Sequence, residues 1–329
     1  MTARLLRASA VAVAVLALGA CSWRLETPPP EWPSPGPVTV MRDAAAAREQ
    51  AIVEATWGGA GADGATTAQA TVLSQIESAA AQERLDALGG FYVPYPQSPS
   101  PSPSAERVDL IGLGVEARDG HLADALVAED SDLAFLLASA GLSHALSSWY
   151  AAWVADAIAE STEPIVAERS IPSGSLPDSG PVPASTGIDT DTLAELAVMH
   201  DQARYAYEVL AARATDDERD QWLARRELQR ARAAALARLP GVEDRREPVY
   251  VLTGDGSADS ASRSAAARDL ETRAGQTYAA LLDGAPAGDV PWLLHAAFDA
   301  YAQAAAFGAP TAQSFEVPAL PGLAATVGE

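Results

Sequence analysis

Eight stretches of this chain carry alanine and leucine at helical spacing, and almost no stretch shows the apolar–polar alternation of a strand. That pattern constrains the fold most. A 3.6-residue period buries one stripe of a helix, whereas a period of two buries one face of a sheet. The stretches run about 41–57, 67–88, 107–128, 131–160, 190–213, 216–239, 258–283 and 289–307. Alanine fills 73 of the 329 positions, and its small side chain lets helices approach closely. The sequence therefore predicts an all-α antiparallel fold, either two four-helix units, one in each half, or one larger bundle.

Proline-rich segments separate these stretches. Residues 22–40 include Pro28, Pro29, Pro30, Pro33, Pro35 and Pro37, which fix φ and remove donors, so 21–40 reads as an extended tether. A second Pro/Ser run spans 96–104. The Gly-, Pro- and Ser-rich linker 166–188 is the expected boundary between a unit at 41–165 and a unit at 189–323, with 324–329 as a tail. Thr192 to Glu195 and Thr215 to Glu218 fit capping boxes. Gly89-Gly90 and Pro240-Gly241 are stop signals. The stretch 131–160 is apolar on most of its girth. Leu133, Leu137, Leu142, Leu146, Trp149, Trp153, Val154 and Ile158 predict a central, buried helix.

Composition excludes several chemistries. All 22 basic residues are arginine, so no lysine can serve a P-loop, a Schiff base or a Ser-x-x-Lys pair. One cysteine excludes an intrachain disulfide and a multi-thiolate zinc site. A net charge of -22 argues against nucleic acid as a partner, because phosphate neutralisation needs a basic surface.

The one cysteine has a specific context. Arg4 and Arg7 precede an apolar run from Ala8 to Ala20, the layout of a secretory signal and too short to span a bilayer. The run ends Leu18-Gly19-Ala20-Cys21, which resembles a bacterial lipobox. That resemblance implies removal of residues 1–20, a diacylglycerol and acyl group on Cys21, and a lipid anchor on the extracytoplasmic face of the cell membrane. No other cofactor is expected.

The second half resembles a ferritin-like family, the domain of unknown function 4439 of actinobacterial proteins. The resemblance rests on Tyr205-Ala206-Tyr207, Arg230-Ala231-Arg232, Leu270-Glu271 with Tyr278-Ala279-Ala280, and the run Phe315 to Gly322. It covers about 190–323. The first half, with Ala87-Leu88-Gly89-Gly90, looks like helices that accompany such domains in lipoproteins. The resemblance implies a ferritin-shaped bundle and no defined activity.

A di-iron bundle uses Glu-x-x-His pairs, and this chain has none. The nearest substitute is His200, Glu227, Glu271 and His295, one from each helix of the second unit; His200 shares a stripe with Leu193, Leu196, Tyr207 and Leu210. Glu49, Glu77, Glu116 and His144 are the analogous set in the first unit. Structural use of these residues is favoured over metal binding. Gly59 to Gly64 matches G-x-G-x-x-G without the βαβ setting that motif needs, and Asp255 to Asp259 lacks the closing Glu of a calcium loop. Tyr205, Tyr207, Trp222 and Tyr278 could line an apolar space between helices. Eight arginines between Arg219 and Arg246 read as a solvated, ion-paired helix face or as a dock for an acidic partner. No catalytic motif stands out. The sequence favours a non-catalytic binding or scaffold protein of the cell envelope, with an envelope protein as the expected partner. A ferritin-like metal protein or oxidoreductase and a carrier of a small apolar ligand are the alternatives.

Overall fold

A computed structural model describes residues 34–57, 67–91, 109–159, 182–251 and 259–323. The expectations for residues 1–20, Cys21, the lipobox, the glycine run at 59–64, the Pro/Ser run at 96–104 and the tail 324–329 lie outside these. Among the described residues every regular element is helical: α1 Pro37–Trp57, α2 Ala68–Ala87, α3 Leu110–Ala125, α4 Ser131–Ala159, α5 Thr190–Ala212, α6 Asp216–Leu236, α7 Ser260–Ala280 and α8 Val290–Ala306.

Local chemistry sets the ends. α1 begins at Pro37, inside the expected tether, because proline loses nothing at a first-turn position whose N–H has no intrahelical partner. Thr67, Asp109, Asp189 and Asp259 cap α2, α3, α5 and α7 through side-chain oxygens. The cap of α5 is thus Asp189, which accepts from the Thr192 amide, and not Thr192. Thr215 precedes α6 without a side-chain cap bond.

The first four helices form one antiparallel set. α4 is its centre and packs on α1, α2 and α3. Every residue from Leu137 to Ser147 is buried, which fits a helix apolar all round. Gly141 lets α3 and α4 approach, since a Cβ there would stand 2.7 Å from the Leu122 side chain. In the second half α5 pairs closely with α6, and α7 with α8. These two hairpins meet through apolar clusters, such as Tyr207, Leu210 and Trp222 with Ala267 and Phe307, and through long polar side chains between them.

The halves share one core. α4 packs against α8, and Trp149 meets Phe298 edge-on at 6.1 Å. The arm after α8 returns to α4. Ser139 Oγ donates to the Pro321 carbonyl at 2.8 Å, and Tyr150 Oη donates to the Thr311 carbonyl at 2.7 Å. Phe315 packs on Tyr150, and Val317 joins the same core. No helix among the described residues is long and apolar enough to cross a membrane.

Candidate functional sites

Each helical set buries a polar cluster at its centre. In the first, the stripe Leu73, Glu77, Ala81 and Arg84 of α2, continued by Leu88 at its C-cap, keeps helical spacing, so Glu77 and Arg84 point where leucines point. Glu49 of α1, His121 of α3 and His144 of α4 reach the same place, and all are wholly buried. Arg84 joins the carboxylates: its Nε donates to Glu49 Oε2 at 2.9 Å, its Nη1 to Ser143 Oγ at 3.0 Å, and its Nη2 to Glu77 Oε2. Glu49 Oε1 receives Nε2 of both His121 and His144, each at 2.7 Å. The two imidazoles lie nearly parallel with centroids 5.7 Å apart.

The electrostatics follow from this packing. Burial alone would raise the Glu77 pKa, but Arg84 and His144 outweigh it and hold the carboxyl at about 2. Burial opposes ionisation of Glu49 too, and again Arg84 and His144 win, so it stays well below the usual range. His144 is raised: burial and Arg84 oppose its charge, and Glu49 and Glu77 together overcome them. His121 is lowered, chiefly by burial. Two carboxylates thus face one guanidinium and two imidazoles.

Of the four residues expected to converge here, Glu49, Glu77 and His144 do. Glu116 is exposed, because it sits one position off the buried stripe Leu110, Gly114, Ala117 and His121. His121 takes its place. The i, i+4, i+7, i+11 spacing of that stripe was legible in the sequence.

The second cluster is a directed chain of hydrogen bonds. Tyr278 Oη donates to His200 Nε2 at 2.5 Å, and His200 Nδ1 donates to Gln229 Oε1. Gln229 Nε2 donates to Glu271 Oε1 at 3.0 Å, as do Tyr207 Oη at 2.5 Å and Arg225 Nε at 2.7 Å. Arg225 Nη2 completes a bidentate pair with Glu271 Oε2 at 2.5 Å. Asp299 accepts from Arg225 at 3.1 Å and from Arg232 at 2.7 Å. Two guanidiniums face two carboxylates in a buried, balanced layer. Burial and the nearby Arg232 depress His200 to about 3, so it is neutral here.

This layer corrects the sequence expectation in three ways. Glu227 does not converge with the others: it is exposed and pairs with Arg226 and Arg230 at 2.6 and 2.7 Å. Its position lies about 200° around α6 from Arg225, opposite the buried stripe Trp222, Arg225, Gln229, Arg232 and Leu236. His295, grouped with His200, Glu227 and Glu271 in the sequence reading, is buried, but the bonds that link His200 to Glu271 run through Gln229 rather than through it. The arginines of α6 are not all solvated; Arg225 and Arg232 point inward. The sequence reading assigns no buried role to Arg84, Arg225, Gln229, Arg232 or Asp299, although the 3-4-3-4 spacing of Trp222, Arg225, Gln229, Arg232 and Leu236 is visible in it.

Among the described residues, Glu49, His121 and His144 are the one set of His, Cys, Asp or Glu side chains whose donor atoms all lie within 4.8 Å of one another. His200 and Glu271 are instead bridged by Gln229, and both His200 nitrogens hold protein hydrogen bonds.

A groove opens on the other side of His200. It runs between α5 and α7, which approach far less closely than the members of either hairpin. Its volume is about 690 Å³. Met199, Ala203, Ala206, Val209 and Leu210 form one wall, and Ala265, Ala266, Leu270 and Ala274 the other. Alanine side chains end at Cβ, so the facing helices leave the gap unfilled. His200 and Gln229 reach its floor, and Arg213, Asp269, Arg273 and Tyr250 supply polar groups. Tyr207, Trp222 and Tyr278 do not line this space; they are core residues, and Tyr205 packs against Tyr250 at 6.1 Å.

Compared with known protein-family models, curated proteins and solved structures, the chain matches none.

Proposed function

We propose that this chain is a non-catalytic binding protein of the cell envelope, tethered by a lipid on Cys21, with its ligand site in the α5/α7 groove. The groove carries the reading. Its volume falls within the range of small-molecule sites, and its mix of apolar walls with a few polar groups matches their usual lining. Both bundle centres, by contrast, are occupied by charged and polar side chains that pair with one another. The ligand class that suits the lining is an amphiphile, with an apolar body against the alanine and leucine walls and a polar group near Arg213 or Arg273. The likeness to the ferritin-like family belongs to this proposal as a statement of shape. The Leu18-Gly19-Ala20-Cys21 sequence supports the anchor.

Native mass spectrometry of the full chain extracted from membranes in mild detergent tests the site. The expected spectrum holds a bound small molecule that is lost in Ala206→Trp, a change that fills the groove. A spectrum of the folded wild type without adduct, or an adduct retained in Ala206→Trp, overturns the site. Cys21→Ser is expected to release the chain from membranes or leave it unprocessed; unchanged membrane retention overturns the anchor.

A further inference from the structure

The first bundle holds donors arranged for an ion. We infer that Glu49, His121 and His144 form a mononuclear site for a divalent transition metal of the zinc type.

Three observations carry this. The first is convergence. Glu49 Oε1 and the two imidazole Nε2 atoms, from α1, α3 and α4, already crowd one point, with 2.7 Å from the carboxylate oxygen to each nitrogen. One carboxylate and two imidazoles are a ligand set that zinc accepts, with the fourth tetrahedral position left to water, hydroxide or chloride. The second is orientation from outside. Arg84 holds Glu49 through Oε2 and leaves Oε1 to face the histidines. Glu77 Oε1 stands 3.5 Å from His144 Nδ1, and neither atom has a hydrogen-bond partner, although both residues are buried. A carboxylate behind the far nitrogen is the usual outer partner of a metal-bound histidine. A small closure there would form the bond that fixes the required tautomer.

The third is charge. Without an ion, hydrogens bridge Glu49 Oε1 to the two rings. An ion in their place is held by the Glu49 carboxylate and two neutral imidazoles, with the Glu77 carboxylate and the Arg84 guanidinium directly behind them. One contact must yield. Arg48 Nη1 lies 3.3 Å from His121 Nδ1, the atom that carries the proton once Nε2 binds an ion. Arg48 retains its shorter bond to Asp124 at 2.6 Å. Because Glu49, His121 and His144 are wholly buried, loading accompanies folding.

The test uses the full chain, produced in zinc-supplemented medium and purified without chelator. Elemental mass spectrometry is expected to find one zinc ion per chain. His121→Gln and His144→Gln, each losing a ligand, should retain at least about tenfold less. His200→Gln, in the other bundle, should keep the wild-type content. Cobalt substitution supplies a second readout that needs no variant. The visible d–d bands of four-coordinate cobalt should appear without a thiolate charge-transfer band, since the ligands are nitrogen and oxygen. Folded wild type that takes up neither zinc nor cobalt, or zinc retained in both histidine variants, overturns the site. A groove without ligand and a loaded ion are separable outcomes, because the two sites lie in different helical sets.

Discussion

His200 and Tyr278 are joined across α5 and α7 at 2.5 Å, the tyrosine hydroxyl donating to Nε2. With Gln229 Oε1 accepting from Nδ1, the pair fixes one neutral tautomer of a buried imidazole. Protonation would turn the Tyr278 hydroxyl from donor to acceptor and would bury a further positive charge beside Arg225 and Arg232.

The consequence is an acid-sensitive second bundle. The folded pKa of His200, about 3, lies below the roughly 6.5 of an unfolded histidine. Between those values the unfolded chain binds the extra proton, so stability falls as pH falls, by up to about 1.4 kcal/mol per unit. Urea unfolding of wild type and His200→Gln at pH 7 and pH 5 checks this. The stability difference between them should narrow at pH 5, and an unchanged difference excludes the assignment.

His144 behaves oppositely. Its pKa is raised in the folded state because Glu49 and Glu77 outweigh burial and Arg84. Its stabilising contribution is complete below the unfolded value of about 6.5 and is lost as pH rises through the folded value. In the metal-free chain, a nuclear magnetic resonance titration should place the His144 midpoint above 6.5 and that of His121 below it. Reversed midpoints would contradict the hydrogen-bonding scheme.

Arg84→Met is expected to be among the most damaging single changes in the first bundle. It removes the guanidinium between Glu49 and Glu77 and leaves two carboxylates buried together. Breaking a buried ion pair in this way costs about 3–5 kcal/mol. Equilibrium denaturation measures it. A loss below about 1 kcal/mol, the scale of an exposed pair, would show that water reaches the cluster.

The C-terminal arm offers a separate test. Gly322 has a φ of +88°, and a Cβ there would stand 2.5 Å from the backbone of Ala279. Gly322→Ala should lift the arm from α7, cost about 1–3 kcal/mol as an overpacked site does, and speed hydrogen exchange around Thr311 to Pro321. Exchange equal to that of wild type would mean the arm docks without Gly322.

Period and punctuation in the sequence carried the helices. The eight expected stretches agree with α1 to α8, and α4 was legible as central from its apolar girth. The residues of the polar clusters were partly legible. Glu49, Glu77, His144, His200 and Glu271 stand out in the sequence as candidates, whereas Arg225 and Arg232 read there as part of a solvated face and Arg84 carries no reading, because arginine is by default solvated. Helical phase would have corrected this: Arg225 and Arg232 fall on the stripe of Trp222 and Leu236, and Glu227 and Glu116 fall off theirs.

The sequence by itself determined that this chain is helical and where most helices begin and end. Only the tertiary structure decided which polar residues meet. A 3.6-residue period says which side of a helix is buried but not which helix it faces. The meeting of Glu49 with His121, 72 positions apart, depends on how four helices are ordered around α4. The groove beside His200 likewise exists only because two alanine-lined helices pack less closely than the hairpins they belong to.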